Sequence, residues 1–293
     1  MPAIVHHKAN LDDSPHPPNT LEAIRESLKA DAEWIEVDIR ALKGGSDYLL
    51  VHDDSLENET TGQGPVDAAT VQEAINLRVK DHPNYSVPLL GDVVSLFEGH
   101  VGRTKLQLDF KNVFPFQNDV PYTRLLEIIE PLGERVHLSS AADWHLRRLR
   151  KLASWLDLGL EVMFYLDYRY PAEAVDPRVP PFREGAYGYH DDAVLAVAKT
   201  WPTAEYLADR CDVLLRQVPE ISTLYINHRT LVQSLEDGFN WATACHHANL
   251  RLATWTIDVG DEVAVENARR LRAAGVDRFT SNTPQALRNS LIT

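Results

Sequence analysis

Glu36 and Asp38 are two carboxylates one residue apart in the run Trp34-Ile35-Glu36-Val37-Asp38-Ile39-Arg40. Ile35, Val37 and Ile39 alternate with them, which is the pattern of a β-strand with one apolar and one polar face. On that strand the two acidic residues project side by side, their Cα atoms roughly 6–7 Å apart. Like charges so close raise each other's pKa unless something neutralises them. A hard divalent cation does so, because Mg²⁺ and Ca²⁺ take carboxylate oxygens. The plain alternative for a lone Glu-x-Asp is a solvated acidic face.

A second stretch, Lys105-Leu106-Gln107-Leu108-Asp109-Phe110-Lys111, repeats the alternation and puts Asp109 and Lys111 on its polar face. Glu36, Asp38 and Asp109 together make a site for one divalent cation completed by water or substrate oxygens. Mg²⁺ fits best, Ca²⁺ is the alternative, and Zn²⁺ is disfavoured by an all-carboxylate set. Lys111, on the same face, is placed to contact a phosphate or a ligand carboxylate, the plain alternative being an ordinary ion pair. His6 closes the first apolar run and His52 follows Tyr48-Leu49-Leu50-Val51. Two imidazoles flanking a cation form an acid–base pair that works near neutral pH. One serves as base or nucleophile and the other protonates the leaving oxygen, with the order left open. His7 faces away from His6 in an extended chain and is the weaker candidate. Tyr225 and Trp255 face the same mouth by strand parity, as wall residues for an apolar or sugar surface. The Glu36/Asp38 pair does not suit glycoside hydrolysis, which needs carboxylates on opposite sides of a sugar.

These residues require strands that hold them at one end of a common scaffold. Strand patterns begin at Ala3, Trp34, Lys105, Arg135, Leu160, Thr223, Arg251 and Asp277, and helical patterns separate them. Alternating strands and helices argue for a parallel sheet. Eight such units in 293 residues argue for a single-domain (β/α)₈ (TIM) barrel over residues 1–293. No Gly-x-Gly-x-x-Gly follows the first strand, which disfavours an open dinucleotide-binding sheet. The stretch from Tyr168 to His190, rich in Pro, Gly and Tyr, reads as a substrate-facing loop insertion.

Composition narrows the partners. A formal charge of −14 argues against nucleic acid and anionic lipid. Cys211 and Cys245 match no zinc or redox spacing. Neither a signal peptide nor a membrane-length apolar run is visible, so a cytoplasmic protein without stable membrane insertion is expected.

The motifs Ile4-Val5-His6, Asn19-Thr20-Leu21-Glu22-Ala23, Ile35-Glu36-Val37-Asp38-Ile39-Arg40, His52-Asp53-Asp54-x-Leu56, Thr61-Gly62-x-Gly64, Val87-Pro88-x-Leu90, Leu108-Asp109-Phe110-Lys111, Trp255-Thr256-Ile257-Asp258 and Gly275-Val276-Asp277 occur in order. As a set they resemble the glycerophosphodiester phosphodiesterases. The resemblance implies a barrel with a divalent ion on Glu36, Asp38 and Asp109, catalytic His6 and His52, and Lys111 near the phosphate. Three positions depart from the family pattern: His7 stands in place of Arg, Pro18 in place of Glu, and Asp109 in place of Glu. Lys111, Lys8 or Arg40 could supply the missing cation. Asp109-x-Lys111 is similar to the sphingomyelinase D-like phospholipases, so a phospholipase D-like enzyme on lysophospholipids is the first rival. A barrel that binds phosphate esters without turnover is the second.

Overall fold

The chain is described by a computed structural model covering residues 1–170 and 179–292. Eight strands form the barrel: β1 (Ala3–His6), β2 (Trp34–Ala41), β3 (Lys105–Phe110), β4 (Val136–Ser140), β5 (Asp157–Glu161), β6 (Thr223–Tyr225), β7 (Arg251–Thr254) and β8 (Arg278–Ser281). Each pairs in parallel with its neighbour in chain order. The pairing of β1 with β8 closes the cylinder. The expected (β/α)₈ architecture is therefore the one found.

Helices α1 (Leu21–Lys29), α2 (Leu90–Glu98), α3 (Val120–Ile129), α4 (Asp143–Leu152), α5 (Thr203–Leu215), α6 (His228–Glu236), α7 (Trp241–His247), α8 (Glu262–Ala274) and α9 (Pro284–Ile292) surround it. Thr20 caps α1: its hydroxyl accepts from the Ala23 N–H at 3.3 Å. One residue of each strand pair faces these helices and the next faces the barrel axis. Ile4, Ile35, Val37, Ile39, Leu106, Leu108, Leu158, Leu160, Leu224 and Phe279 join the helix-facing core. The residues between them, including Glu36, Asp38, Gln107 and Asp109, point inward.

The N-terminal half of the barrel interior is filled rather than open. The Arg278 guanidinium lies 3.8 Å from the Trp34 ring centroid, and His137 Nδ1 lies 3.0 Å from Asp157 Oδ2. Gly159 leaves the room this needs: a Cβ there would come within 2.5 Å of the Tyr225 ring and 2.8 Å of His137 Nε2.

Some local expectations shift. The fifth strand starts earlier, at Asp157, and gives way after Glu161 to a 3₁₀ turn over Val162–Phe164. Tyr48–Leu49 is a short antiparallel strand on the end of β2 and not a barrel stave. A hairpin of Arg78–Val79 with His82–Ser86 follows, which the polar composition of that segment concealed. Within the 168–190 loop, His190–Asp191 returns to pair with Leu166–Asp167. Residues 171–178 of that loop lie outside the described residues.

Candidate active site

The register sets Asp38 directly opposite Asp109 on the adjacent strand, with Glu36 one inward position below. One carboxylate oxygen from each of Glu36, Asp38 and Asp109 lies within 4.8 Å of the other two. Neighbouring groups hold them in place. Glu36 Oε2 accepts from the Lys8 N–H at 2.7 Å. Asp38 Oδ2 accepts from Asn19 Nδ2 at 3.0 Å and lies 3.2 Å from Lys8 Nζ. Lys111 is ion-paired with Asp109, and its Nζ is 3.4 Å from Asp38 Oδ1.

The electrostatics follow from burial and pairing. Burial and the nearby Asp38 and Asp109 charges push Glu36 well above the usual carboxylate range. Burial acts the same way on Asp38, but the Lys111 and Lys8 ammonium groups outweigh it and hold the group low. Glu161 also faces this site and is pushed up to about 8, first by burial and then by the Asp109 charge. It is therefore largely neutral near pH 7. With all three carboxylates ionised, as holding a cation requires, they leave one negative charge against the two ammonium groups. A divalent cation would invert that to one positive charge, the match for a phosphodiester anion. Glu36 Oε1 and Asp38 Oδ1 are buried without a hydrogen-bond partner, as expected of atoms meant for an ion. The donor set fits Mg²⁺ or Ca²⁺.

Beside the triad is a cavity of about 220 Å³, lined by His7, Lys8, His52, Gln107, Lys111, Glu161, Met163, Tyr225 and Trp255 among others. Lys111, Tyr225 and Trp255 thus lie where sequence parity put them. His52 follows Val51 into the loop, where several contacts fix it. Glu59 Oε2 accepts from the His52 N–H at 2.6 Å and the Asp53 N–H at 2.9 Å. Asp53 Oδ1 lies 2.8 Å from His52 Nδ1. A carboxylate only accepts, so Nδ1 carries the proton and Nε2 is left for the cavity.

His6 is not part of this cavity. It shares the face of Ile4, which packs on the outer helices, and its Nδ1 meets Ser27 Oγ of α1 at 2.9 Å. Ser27 donates to the Ala9 carbonyl, so His6 Nδ1 is the donor to Ser27. Burial, with Arg288 adding, lowers His6 to about 4. Its neighbour lines the cavity instead, with His7 Nε2 3.9 Å from Glu36 Oε2. The alternation that put Ile4 against the helices already assigned His6 to that side, and this was the signal to read. A one-residue shift also supplies the missing cation, because the residue after His7 is Lys8. The chain makes this turn through left-handed backbone at Lys8 and Ala9.

His7 has a fixed tautomer. Asp258 accepts from both the Asn282 N–H (2.7 Å) and Asn282 Nδ2 (2.8 Å). The Asn282 amide oxygen is thereby turned to His7 Nδ1 at 2.9 Å and receives Asn10 Nδ2 as well. Nδ1 of His7 must donate, which leaves Nε2 with a free lone pair towards the cavity. Burial is the main reason that His7 is held below its ordinary value, hence neutral at pH 7. Sequence reasoning missed the Asp258–Asn282 brace, since its members come from separate loops. Arg40, expected near the phosphate, donates from Nε to the His52 carbonyl at 2.7 Å and lines a neighbouring cavity instead.

The chain matches the model of the glycerophosphoryl diester phosphodiesterase family over residues 7–286. No curated protein matches it. Among solved structures it is similar to a protein of Galdieria sulphuraria assigned as a glycerophosphodiester phosphodiesterase (18% identity, TM-score 0.69, 100% of this chain and 98% of that one). It is also similar to a glycerophosphodiester phosphodiesterase of Parabacteroides distasonis (13%, TM-score 0.68, 99% and 96%). A third is an Oleispira antarctica phosphodiesterase in complex with the product sn-glycerol-3-phosphate (16%, TM-score 0.65, 100% and 98%).

Proposed function

We propose a mechanism from one premise: the chain belongs to the glycerophosphoryl diester phosphodiesterase family and is a phosphoric diester hydrolase. In our reading it splits a small organic phosphodiester, with His7 and His52 as the acid–base pair. The observation that carries this is the meeting, in one cavity, of both imidazoles, two ammonium groups and an acidic triad with unpartnered oxygens. Glu36, Asp38 and Asp109 would hold a divalent cation, Mg²⁺ before Ca²⁺. Such an ion draws negative charge off the phosphoryl oxygens.

The chain's own residues do the rest. Lys8 and Lys111 hold the phosphoryl group, each with ammonium protons to spare beyond its carboxylate partner. His7, neutral with Nε2 bare, takes the proton from the attacking hydroxyl as the new P–O bond forms. The hydroxyl belongs to water or to a neighbouring position on the alcohol; the latter gives a cyclic phosphate first. His52, by elimination, is the acid: it acts as the imidazolium, with Nδ1–H held on Asp53, and gives its Nε2 proton to the departing alcohol oxygen as that P–O bond breaks. Asp258 and Asn282 hold His7 in its tautomer, and Asp53 does this for His52.

His7 thus replaces His6 in the role expected from the sequence. Lys8 removes the motive for a barrel without turnover, since the cation after the catalytic histidine is present. The lysophospholipid reading finds less support: Tyr170 and Phe182 are exposed, yet neither lines the cavity.

The test is hydrolysis of a phosphodiester panel that includes glycerophosphocholine and a lysophospholipid, with Mg²⁺ and with chelator, scored by the alcohol released. Wild type is expected to need the cation and to prefer the small diester. Full-rate turnover by His7→Ala or His52→Ala would remove the assigned roles.

A further inference from the structure

His7 and His52 are held in different ways. The His7 side chain is 24% exposed and bonded to the Asn282–Asp258 brace, whereas the His52 side chain is 45% exposed. Packing therefore does less to place the His52 ring. Regular structure does not hold its backbone either, since Val51 to Asp54 belong to neither helix nor strand. Side chains take that part. Glu59 Oε2 accepts from the His52 N–H (2.6 Å) and the Asp53 N–H (2.9 Å), and Arg40 Nε donates to the His52 carbonyl at 2.7 Å. The peptide units on both sides of the His52 Cα are thus gripped.

These bonds are not equivalent. Asp53 and Glu59 belong to the loop that they brace, as does Asn58, whose Nδ2 donates to Asp53 Oδ2 at 2.9 Å. They fix the ring relative to the loop and leave the loop's own position open. Arg40 comes from β2, two residues beyond Asp38 on the same face. Its bond ties His52 to the strand that carries two of the three carboxylates of the triad. Among the described residues it is the one hydrogen bond that the Arg40 side chain makes, and Arg40 forms no ion pair.

We infer that Arg40 is a positioning residue: with Glu59 it holds the His52 peptide at the distance from the triad at which the imidazole reaches the leaving oxygen of a bound phosphodiester. This rests on the reading of His52 as the acid. What Arg40 supplies is a donor at a fixed reach, because its partner is a neutral carbonyl. Glutamine places an uncharged N–H donor, Nε2, the same number of bonds from Cα as the arginine Nε. Methionine fills the same path with Cε and offers no donor.

The test measures kcat with Mg²⁺ on two diesters of glycerol 3-phosphate, the choline ester and the p-nitrophenyl ester. Choline must be protonated as it leaves, whereas p-nitrophenolate departs without a proton. A displaced acid slows the first and spares the second. Damage to the fold, the ion site or phosphate binding slows both. Arg40→Met is expected to lower kcat on the choline ester about 10- to 100-fold, as a misplacement of about 1 Å does, and to keep the p-nitrophenyl ester within about threefold of wild type. Arg40→Gln should return the choline ester to within about threefold of wild type. A full rate on the choline ester in Arg40→Met, an equal fall on both esters, or an Arg40→Gln no better than Arg40→Met would overturn the inference. If Arg40→Met fails to fold, Glu59→Met removes the opposite grip and should split the two esters in the same sense; an equal fall on both there also overturns it. His52→Ala separates the two levels of the argument. A His52→Ala that keeps its rate on the choline ester removes the acid and the inference with it, whereas a split in His52→Ala that is absent from Arg40→Met overturns the inference alone.

Discussion

The two ends of the barrel interior are both lined with charged and polar side chains, and they use them in opposite ways. At the N-terminal end Arg278 is stacked on Trp34, His137 faces Asp157, and the ring of Tyr225, which also lines the cavity, fills the space that Gly159 vacates. At the C-terminal end Glu36, Gln107 and Asp109 border an open cavity, with Asp38 completing the triad beside it. Buried polar atoms without a hydrogen-bond partner occur at both ends, at His137 Nε2 and Arg278 Nη1 as well as at Glu36 Oε1 and Gln107 Oε1. What separates the ends is the space beside those atoms. Rings occupy it at one end, and at the other it is free for a ligand. Charge placed inside a barrel is thus a sign of chemistry only where the packing stops short of it.

The largest effects should come from the open end. Asp38→Asn is expected to lower kcat/KM by about 10³-fold or more and to abolish the rise in Tm that Mg²⁺ gives the wild-type protein. A variant that still gained stability from Mg²⁺ would place the ion elsewhere. His7→Ala and His52→Ala should each cost about 10²- to 10⁴-fold in kcat, while His6→Asn stays within about threefold. Loss of activity in His6→Asn at unchanged stability would reverse the assignment of the two adjacent histidines.

Effects on stability come next. His6 binds its proton at about 4 when folded and at about 6.5 when unfolded. The unfolded chain therefore takes the proton first. The stability His6 contributes as a neutral group is complete above about pH 6.5 and is lost as pH falls towards 4, by about 3 kcal/mol at most. Melting curves of His6→Asn across that window should be correspondingly flatter. The smallest effect belongs to the packed end. Gly159→Ala should destabilise by about 1–3 kcal/mol through crowding of Tyr225 and His137, with kcat kept within a fewfold. Loss of catalysis at unchanged Tm would show that the packed end takes part in the chemistry and would break the comparison.

Much of this was legible before any coordinates. Strict alternation in Ile35–Ile39 and Leu106–Phe110 carries the strands, the inward placement of Glu36, Asp38 and Asp109, and the repeated strand-then-helix rhythm that implies a barrel. Side-chain parity along a strand is a local property, so a sequence contains it. Local parity also held the answer for the histidines, since Ile4 and His6 share a face. Register between strands, loop paths and hydrogen-bond direction are not local. Only the folded chain brings Asn282 and Asp258 to His7, turns Arg40 onto the carbonyl of His52, and leaves Gln107 Oε1 facing open space. Those choices depend on which distant segments share a layer of the barrel, and that is settled by how eight staves close rather than by any one of them.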